Sequence, residues 1–237
     1  MYTLSHALLG PEKPDRLSGV PRLVLMDTLQ DLTIRSISVS EMDNNVYLLT
    51  ARETGAQVLI DAADDAAGIM QLLKDGAADT PAEPKLALVV TTHSHWDHVR
   101  ALADVVGHTK ARTAAGTEDV PDIAVPTDVE LDHGDIRNFA GFDLEAIKLR
   151  GHTPGSVALL YRDPHGPPHL FTGDSLFPGG VGNTQGDASR FESLLNDVAE
   201  RIFNYLPDDT IVHPGHGKGT TLGAERPHLH EWRSRGW

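Results

Sequence analysis

The sequence predicts an α/β fold in which two mixed β-sheets pack face to face with helices on the outside. Three observations carry this expectation. Strand-like and helix-like segments alternate in both halves of the chain, with no repeat of fixed period. Four separated strand-like runs each end in a polar turn that delivers a His or Asp side chain. The back half carries a clear amphipathic helix, with Phe191, Leu194, Leu195, Val198, Ile202 and Leu206 on one face.

Taken in order, residues 1 to about 20 contain Gly10-Pro11 and Pro14 and read as an irregular lead-in to a single domain spanning 1–237. Strand signals follow at Leu32 to Val39 and Val46 to Thr50, joined by the turn-prone Asp43-Asn44-Asn45, and again at Gln57 to Asp61. Residues 64 to 74 read as a helix carrying Ala67, Met70, Leu73 and Lys74, and Gly76 to Pro84 breaks the pattern. A strand over Leu86 to Thr91 leads into His93-Ser94-His95-Trp96-Asp97-His98. Beyond it Val99, Leu102, Val105 and Val106 recur at helical spacing, so the loop is expected to open straight into a helix whose first turn holds Asp97 and His98. Ser189 and Glu192 form a capping-box pattern at the start of the amphipathic helix.

Composition narrows the chemistry. The 237 residues are 40% hydrophobic, enough to bury a sizeable core. With 20 basic against 34 acidic residues the formal charge is -14, a field that repels polyanions, and no basic stripe offsets it, so no nucleic-acid partner is expected. The absence of Cys removes thiolate ligands and a nucleophilic thiol, leaving His and carboxylate. Neither a signal-peptide pattern nor an apolar run of roughly 18 residues is found, so no membrane association and a cytoplasmic location are expected.

The segment 93–98 is the most informative, because it packs four metal-binding side chains into six residues directly after an apolar run. A polar surface loop is the plainer reading, yet such close spacing has no packing role that commoner residues would not fill better. Three further strand ends supply what it lacks: Gly151-His152-Thr153-Pro154-Gly155, Thr172-Gly173-Asp174-Ser175 and Pro214-Gly215-His216-Gly217. Glycine lets the backbone approach an ion closely in such turns.

On these motifs the chain resembles the metallo-β-lactamase superfamily, and within it the short glyoxalase II-like group, over about Ile34 to Gly223. The resemblance implies a four-layer αββα sandwich and a centre of two divalent ions, zinc first, with iron or manganese as alternatives. By resemblance His93, His95 and His152 hold one ion, Asp97, His98 and His216 the second, and Asp174 bridges them. His213 is the one rival to His216, and the Pro-Gly-His-Gly pattern favours His216. The histidines at 6, 108, 133, 165, 169, 228 and 230 show no comparable setting.

Such a centre would carry a charge of about +2, and about +1 with a bridging hydroxide as nucleophile. The leading expectation is therefore hydrolysis of a small thioester or ester, with Asp97 as second-ion ligand and orienter of the nucleophile. Ring-opening of a lactone or lactam is a neighbouring possibility. A different reaction class also resembles the chain: persulfide dioxygenases use one iron on the equivalents of His93, His152 and Asp174. A non-catalytic scaffold ranks last, since structural sites close with four ligands.

Two departures limit the substrate. Glyoxalase II proper carries a C-terminal glutathione-binding domain, whereas 21 residues follow His216 here. Where relatives often show Gly-Arg-Thr-Asp, this chain has Gly182-Asn183-Thr184-Gln185. The glycine-rich loop 177–182 and the turn 42–45 read either as pocket walls or as plain surface loops.

Overall fold

The computed structural model describes residues 24–236, so the expected lead-in over residues 1–20 lies outside the described residues. The first half supplies β1 (Val24–Thr28), β2 (Leu32–Val39), β3 (Asn44–Ala51), β4 (Ala56–Ile60), α1 (Ala66–Gly76), β5 (Lys85–Thr91), α2 (Leu102–Thr109), β6 (Arg112–Gly116) and β7 (Val129–Leu131). These strands form one seven-stranded sheet in chain order. Pairing is antiparallel from β1 to β4 and parallel from β4 to β7. Parallel neighbours need a crossover, and α1 and α2 supply two of them.

The second half supplies β8 (Ile136–Phe139), β9 (Phe142–Lys148), β10 (Val157–Tyr161), β11 (His169–Gly173), the hairpin β12 (Leu176–Phe177) and β13 (Gly180–Val181), α3 (Ala188–Val198), β14 (Ile211–Pro214), β15 (Thr220–Thr221), α4 (Leu222–Glu225) and α5 (Leu229–Arg235). Its six-stranded sheet runs β15-β14-β11-β10-β9-β8, with only β11 and β14 parallel.

Strand alternation builds the layers. On β3, Tyr47, Leu49 and Ala51 point between the sheets while Val46 and Leu48 face the helices. On β10, Val157, Leu159 and Tyr161 point inward to the same layer, and Ala158 and Leu160 face the opposite way. A third apolar layer joins that outer face to α3 and to Trp232 of α5. The result is the expected αββα sandwich of two mixed sheets.

Local details differ from the sequence reading. The buried residues of α1 are Ile69, Leu72 and Gly76, and the helix ends at Gly76, where the sequence pattern breaks. Asp97 and His98 lie in a separate 3₁₀ turn, Trp96–His98, and α2 begins only at Leu102. Backbone amides of Arg100 and Ala101 donate to the carbonyls of Ala63 and Ala62, which draws the chain off a continuous helical path. The cap of α3 is Asp187, whose carboxylate accepts from the amides of Ser189 and Arg190 at 2.9 and 3.0 Å, in place of the Ser189 box. An anionic cap also complements the helix dipole. Asn44 and Asn45 belong to β3, after a turn at residues 40–43. Among the described residues no helix is long and apolar enough to cross a membrane.

Helix α3 is anchored through Asp197, buried to 2% exposure, which accepts from Arg150 N, Nε and Nη2 at 2.9, 2.8 and 2.7 Å. Burial opposes its charge, but the bonds from Arg150 and the nearby Arg201 hold its carboxyl below the usual range. A carboxyl lowered in the folded state adds stability above its unfolded pKa of about 3.9, and that contribution disappears as pH falls through the lower folded value. Asp197→Asn is therefore expected to be less stable than wild type at neutral pH, with the gap closing under acid. Thermal melts across the acid range check this, and a constant gap would exclude the linkage.

Candidate metal centre

The seven side chains singled out in the sequence meet at one edge of the sandwich, where β5, β9, β11 and β14 end. Three overlapping donor groups occur, each with its atoms within 4.8 Å: His93, His95 and His152; His93, His98 and Asp174; and Asp97, His98 and His216. Asp174 lies between the two outer sets. Its Oδ1 is 3.5 Å from His98 Nε2, and its Oδ2 is 3.6 Å from His152 Nε2 and 3.3 Å from His216 Nε2. Asp97 Oδ2 is 3.4 Å from His216 Nε2 and 3.6 Å from His98 Nε2.

Four imidazoles are fixed by what holds Nδ1. His98 Nδ1 donates to Asp61 Oδ2 at 2.9 Å, His152 Nδ1 to the Asn183 carbonyl at 2.8 Å, and His216 Nδ1 to the Met42 carbonyl at 2.7 Å. Thr92 Oγ1 donates to Asp61 Oδ2 at 2.8 Å, which leaves it to accept from His93 Nδ1 at 3.1 Å. Each Nε2 is thereby aimed into the centre. His93 Nε2, His152 Nε2 and Asp174 Oδ1 are buried with no hydrogen-bond partner. Unpaired buried acceptors are costly, and convergent ones fit a cation.

The electrostatics divide the site. Burial, then the imidazoles of His98, His152 and His95, push His93 well below the usual histidine range, and burial also lowers His152. Burial opposes protonation of His98 and His216 as well, but carboxylates prevail there. Asp61, with Asp174 and Asp97, lifts His98, while Asp174 lifts His216 to about 9 with help from the Met42 carbonyl and Asp97. Burial likewise disfavours charge on Asp174, yet His216, His98 and His152 hold its carboxyl below the usual range. The field that favours a proton on His216 favours a divalent cation in the same place.

Close backbone packing sets the Asp174 carboxylate. A Cβ on Gly215 would lie 2.2 Å from Asp174 Oδ1, and one on Gly182 would lie 1.7 Å from the Asp174 carbonyl oxygen. Glycine is thus required in Pro-Gly-His-Gly by the carboxylate beside it.

Several supporting residues escape the sequence reading. Asn44 is fully buried, and its Nδ2 donates to Asp97 Oδ2 at 3.0 Å and to the Asp97 carbonyl at 3.2 Å. Asp61 ends an apolar strand, a weak signal in the sequence, and also accepts the Thr92 amide at 2.7 Å. Arg190 on α3 clamps the carbonyls of Gly151 and His152. The 177–182 loop is a hairpin rather than a loose strand of glycines: Glu225 accepts the Gly179 amide at 2.8 Å and Arg235 donates to the Gly179 carbonyl at 3.0 Å. His213 turns away from the seven to stack on Phe171 and hydrogen-bond to His169, and His169, which shows no special setting in the sequence, is buried.

Asp119, fully buried, joins the two loops that carry His93, His95 and His152. Its carboxylate accepts from Ser94 N at 2.7 Å, Thr153 Oγ1 at 2.6 Å and Gly155 N at 2.6 Å. Asp119→Ala strands three donors and is expected to weaken metal affinity by about 10- to 100-fold, with Asp119→Asn intermediate. Chelator competition measures it, and wild-type affinity in Asp119→Ala would mean that the loops hold themselves.

Comparisons with known proteins identify the family to which this fold belongs. The family model of the metallo-β-lactamase superfamily matches residues 40–216. The chain is 28% identical over 213 residues to hydroxyacylglutathione hydrolase GloC of Haemophilus influenzae, covering 82% of this chain and 95% of that protein. Among solved structures, ETHE1 from Myxococcus xanthus superposes with a TM-score of 0.70 at 27% identity, over 85% of this chain and 84% of that one. TTHA1623 in a di-iron-bound form gives a TM-score of 0.63 at 30% identity, over 81% and 96%. Matched by the family model over residues 40–216, three quarters of its length, the chain belongs to the metallo-β-lactamase superfamily.

Proposed function

We propose that this protein is a metal-dependent hydrolase of small thioesters or esters, using two divalent ions, zinc first, with iron or manganese as alternatives. The observation that carries the proposal is the division of seven donors into two sets around one carboxylate, His93, His95 and His152 on one side and Asp97, His98 and His216 on the other, with Asp174 between. The residues fit such ions: the donors are imidazole and carboxylate, and buried lone pairs converge unpaired. When bound, the ions supply a hydroxide at neutral pH and a Lewis acid for the scissile carbonyl.

The chain's own residues do the positioning. Thr92, Asp61, Asn183 and Met42 hold four imidazoles in one tautomer, and the low proton affinity of His93 and His152 keeps their lone pairs free. Asn44 fixes the Asp97 carboxylate, which orients the nucleophile. Phe177, 6.5 Å from the His216 ring, offers an apolar wall for the acyl compound. The relative named hydroxyacylglutathione hydrolase supports a thioester as the substrate class. We also propose that the domain spans the whole chain, that it works in the cytoplasm, and that polyanionic nucleic acids are not substrates.

A one-iron oxygenase is the second reading, and one observation favours it. The three unpaired buried atoms of the centre belong to His93, His152 and Asp174, a two-His-one-carboxylate set. Elemental analysis of protein purified without added metal, paired with thioester cleavage and persulfide-dependent oxygen uptake, separates the two. Two zinc-type ions with thioester turnover are expected; one iron with oxygen uptake would overturn the proposal.

A further inference from the structure

Away from the seven donors, a second group of His and Asp side chains lies where the edge strand of the first sheet meets the second sheet. His169 and His213 stand on the parallel neighbours β11 and β14, where Phe171 is the direct partner of His213. The rings of His169 and His213 lie nearly coplanar, centroids 5.2 Å apart at 10°, and His213 also lies over Phe171 at 4.7 Å and 15°. His169 Nδ1 is 2.9 Å from His213 Nε2. Asp27, on β1 of the other sheet, completes the group: one donor atom from each of Asp27, His169 and His213 lies within 4.8 Å of the others.

A hydrogen-bonded pair of neutral imidazoles explains only part of this arrangement. His169 Nε2 is buried and has no hydrogen-bond partner, so one ring nitrogen is left unsatisfied in a residue 1% exposed. Burial pushes His213 down to about 3, with His169 adding to it, and burial lowers His169 too, so both rings are neutral at neutral pH, and the lone pairs at His169 Nδ1 and His213 Nε2 both face a metal once the donor ring carries its proton on its other nitrogen. A groove of about 350 Å³ reaches Asp27 and His213 between β1 and the turn at Lys218, which gives an ion and its water a path in. Two imidazoles and a carboxylate suit zinc and similar borderline divalent ions, with water completing four-coordination.

We propose that Asp27, His169 and His213 form a further zinc-type metal site, sharing no ligand with the seven-donor centre, and that the ion clips β1 to the second sheet. Such a tie would matter for β1, which among the described residues is the sheet's edge and pairs only with β2. The site does not depend on what the seven-donor centre catalyses.

The experiment uses the full chain with its seven-donor centre already loaded, and Zn²⁺ alone as the probe. After equilibrium dialysis, wild type is expected to hold about one more zinc per chain than Asp27→Ala or His169→Gln. Asp27 is exposed, so Asp27→Ala should fold and keep thioester hydrolysis, which shows that the seven-donor centre is intact. Amide exchange over Val24–Thr28 should slow with zinc in wild type and not in Asp27→Ala. Equal zinc content in wild type and Asp27→Ala would overturn the site and leave a hydrogen-bonded imidazole pair. Extra zinc that leaves the Val24–Thr28 exchange unchanged would overturn the clip.

Discussion

Asp174→Ala is expected to lower the occupancy of both positions in the seven-donor centre and to cut hydrolysis by ~10³-fold or more. The carboxylate is the one anion that reaches both donor sets, with Oδ1 near His98 and Oδ2 near His152 and His216. Removing it leaves two cations facing each other without charge between them, a repulsion that the low-dielectric interior magnifies. It also removes the partner that lifts His216 to about 9, so the imidazole reverts toward its ordinary proton affinity. Asp174→Asn separates shape from charge: it fills the same space against Gly215 and should still lose metal. Two ions tightly held in Asp174→Ala would show that the bridging assignment is wrong.

Asp97→Ala divides the two reaction classes. In the two-ion reading the variant loses the ion on the His98 and His216 side and most of its rate, ~10²-fold or more, because one charge contact of the transition state disappears. Asn44 would then face a space where it had donated to Asp97 Oδ2 at 3.0 Å. In the one-iron reading Asp97 is no ligand, so the variant keeps iron on His93, His152 and Asp174 and retains much of its persulfide-dependent oxygen uptake. Counting metals and running both assays on the same preparation decides the matter. Full thioester hydrolysis with a single bound ion would sink the two-ion mechanism while leaving the fold untouched.

The seven donors are legible in the sequence because each sits in a short polar turn directly after an apolar run, and because His and Asp at such spacing serve few other ends. The layers are legible for a related reason: alternation on β3 and β10 and the stripe of α3 are period signals that survive without partners. What stays hidden depends on partners distant in the chain. Asp119 is an ordinary acidic residue in a turn until Ser94 and Gly155 arrive around it. Asp61 reads as a polar strand end, and its grip on His98 spans 37 positions. His169 looks like any scattered histidine, because its burial comes from the pairing of β11 with β14. The end of the metal loop is misjudged because apolar spacing at Val99 and Leu102 says nothing of the carbonyls of Ala62 and Ala63 that redirect the backbone.

The turn before β3 closes directly on the Pro214–Gly217 loop, and that closure has a kinetic meaning. Asn45 N donates to the Gly215 carbonyl at 2.7 Å, Gly217 N to the Asp43 carbonyl at 3.1 Å, and Tyr47 Oη to the Pro214 carbonyl at 2.7 Å. His216 takes its orientation from Met42, 174 positions earlier in the chain. Contacts so distant in sequence are entropically late to form, since the loop they close must first be shortened by docking of both sheets. Both donor sets, each completed by a histidine of the second half, His152 or His216, are therefore expected to close only after the layers have docked. Binding of an ion there would be a checkpoint on the finished molecule rather than a nucleus for it, and a chain stalled with its halves apart would lack both sets, since His152 comes from the second half as His216 does.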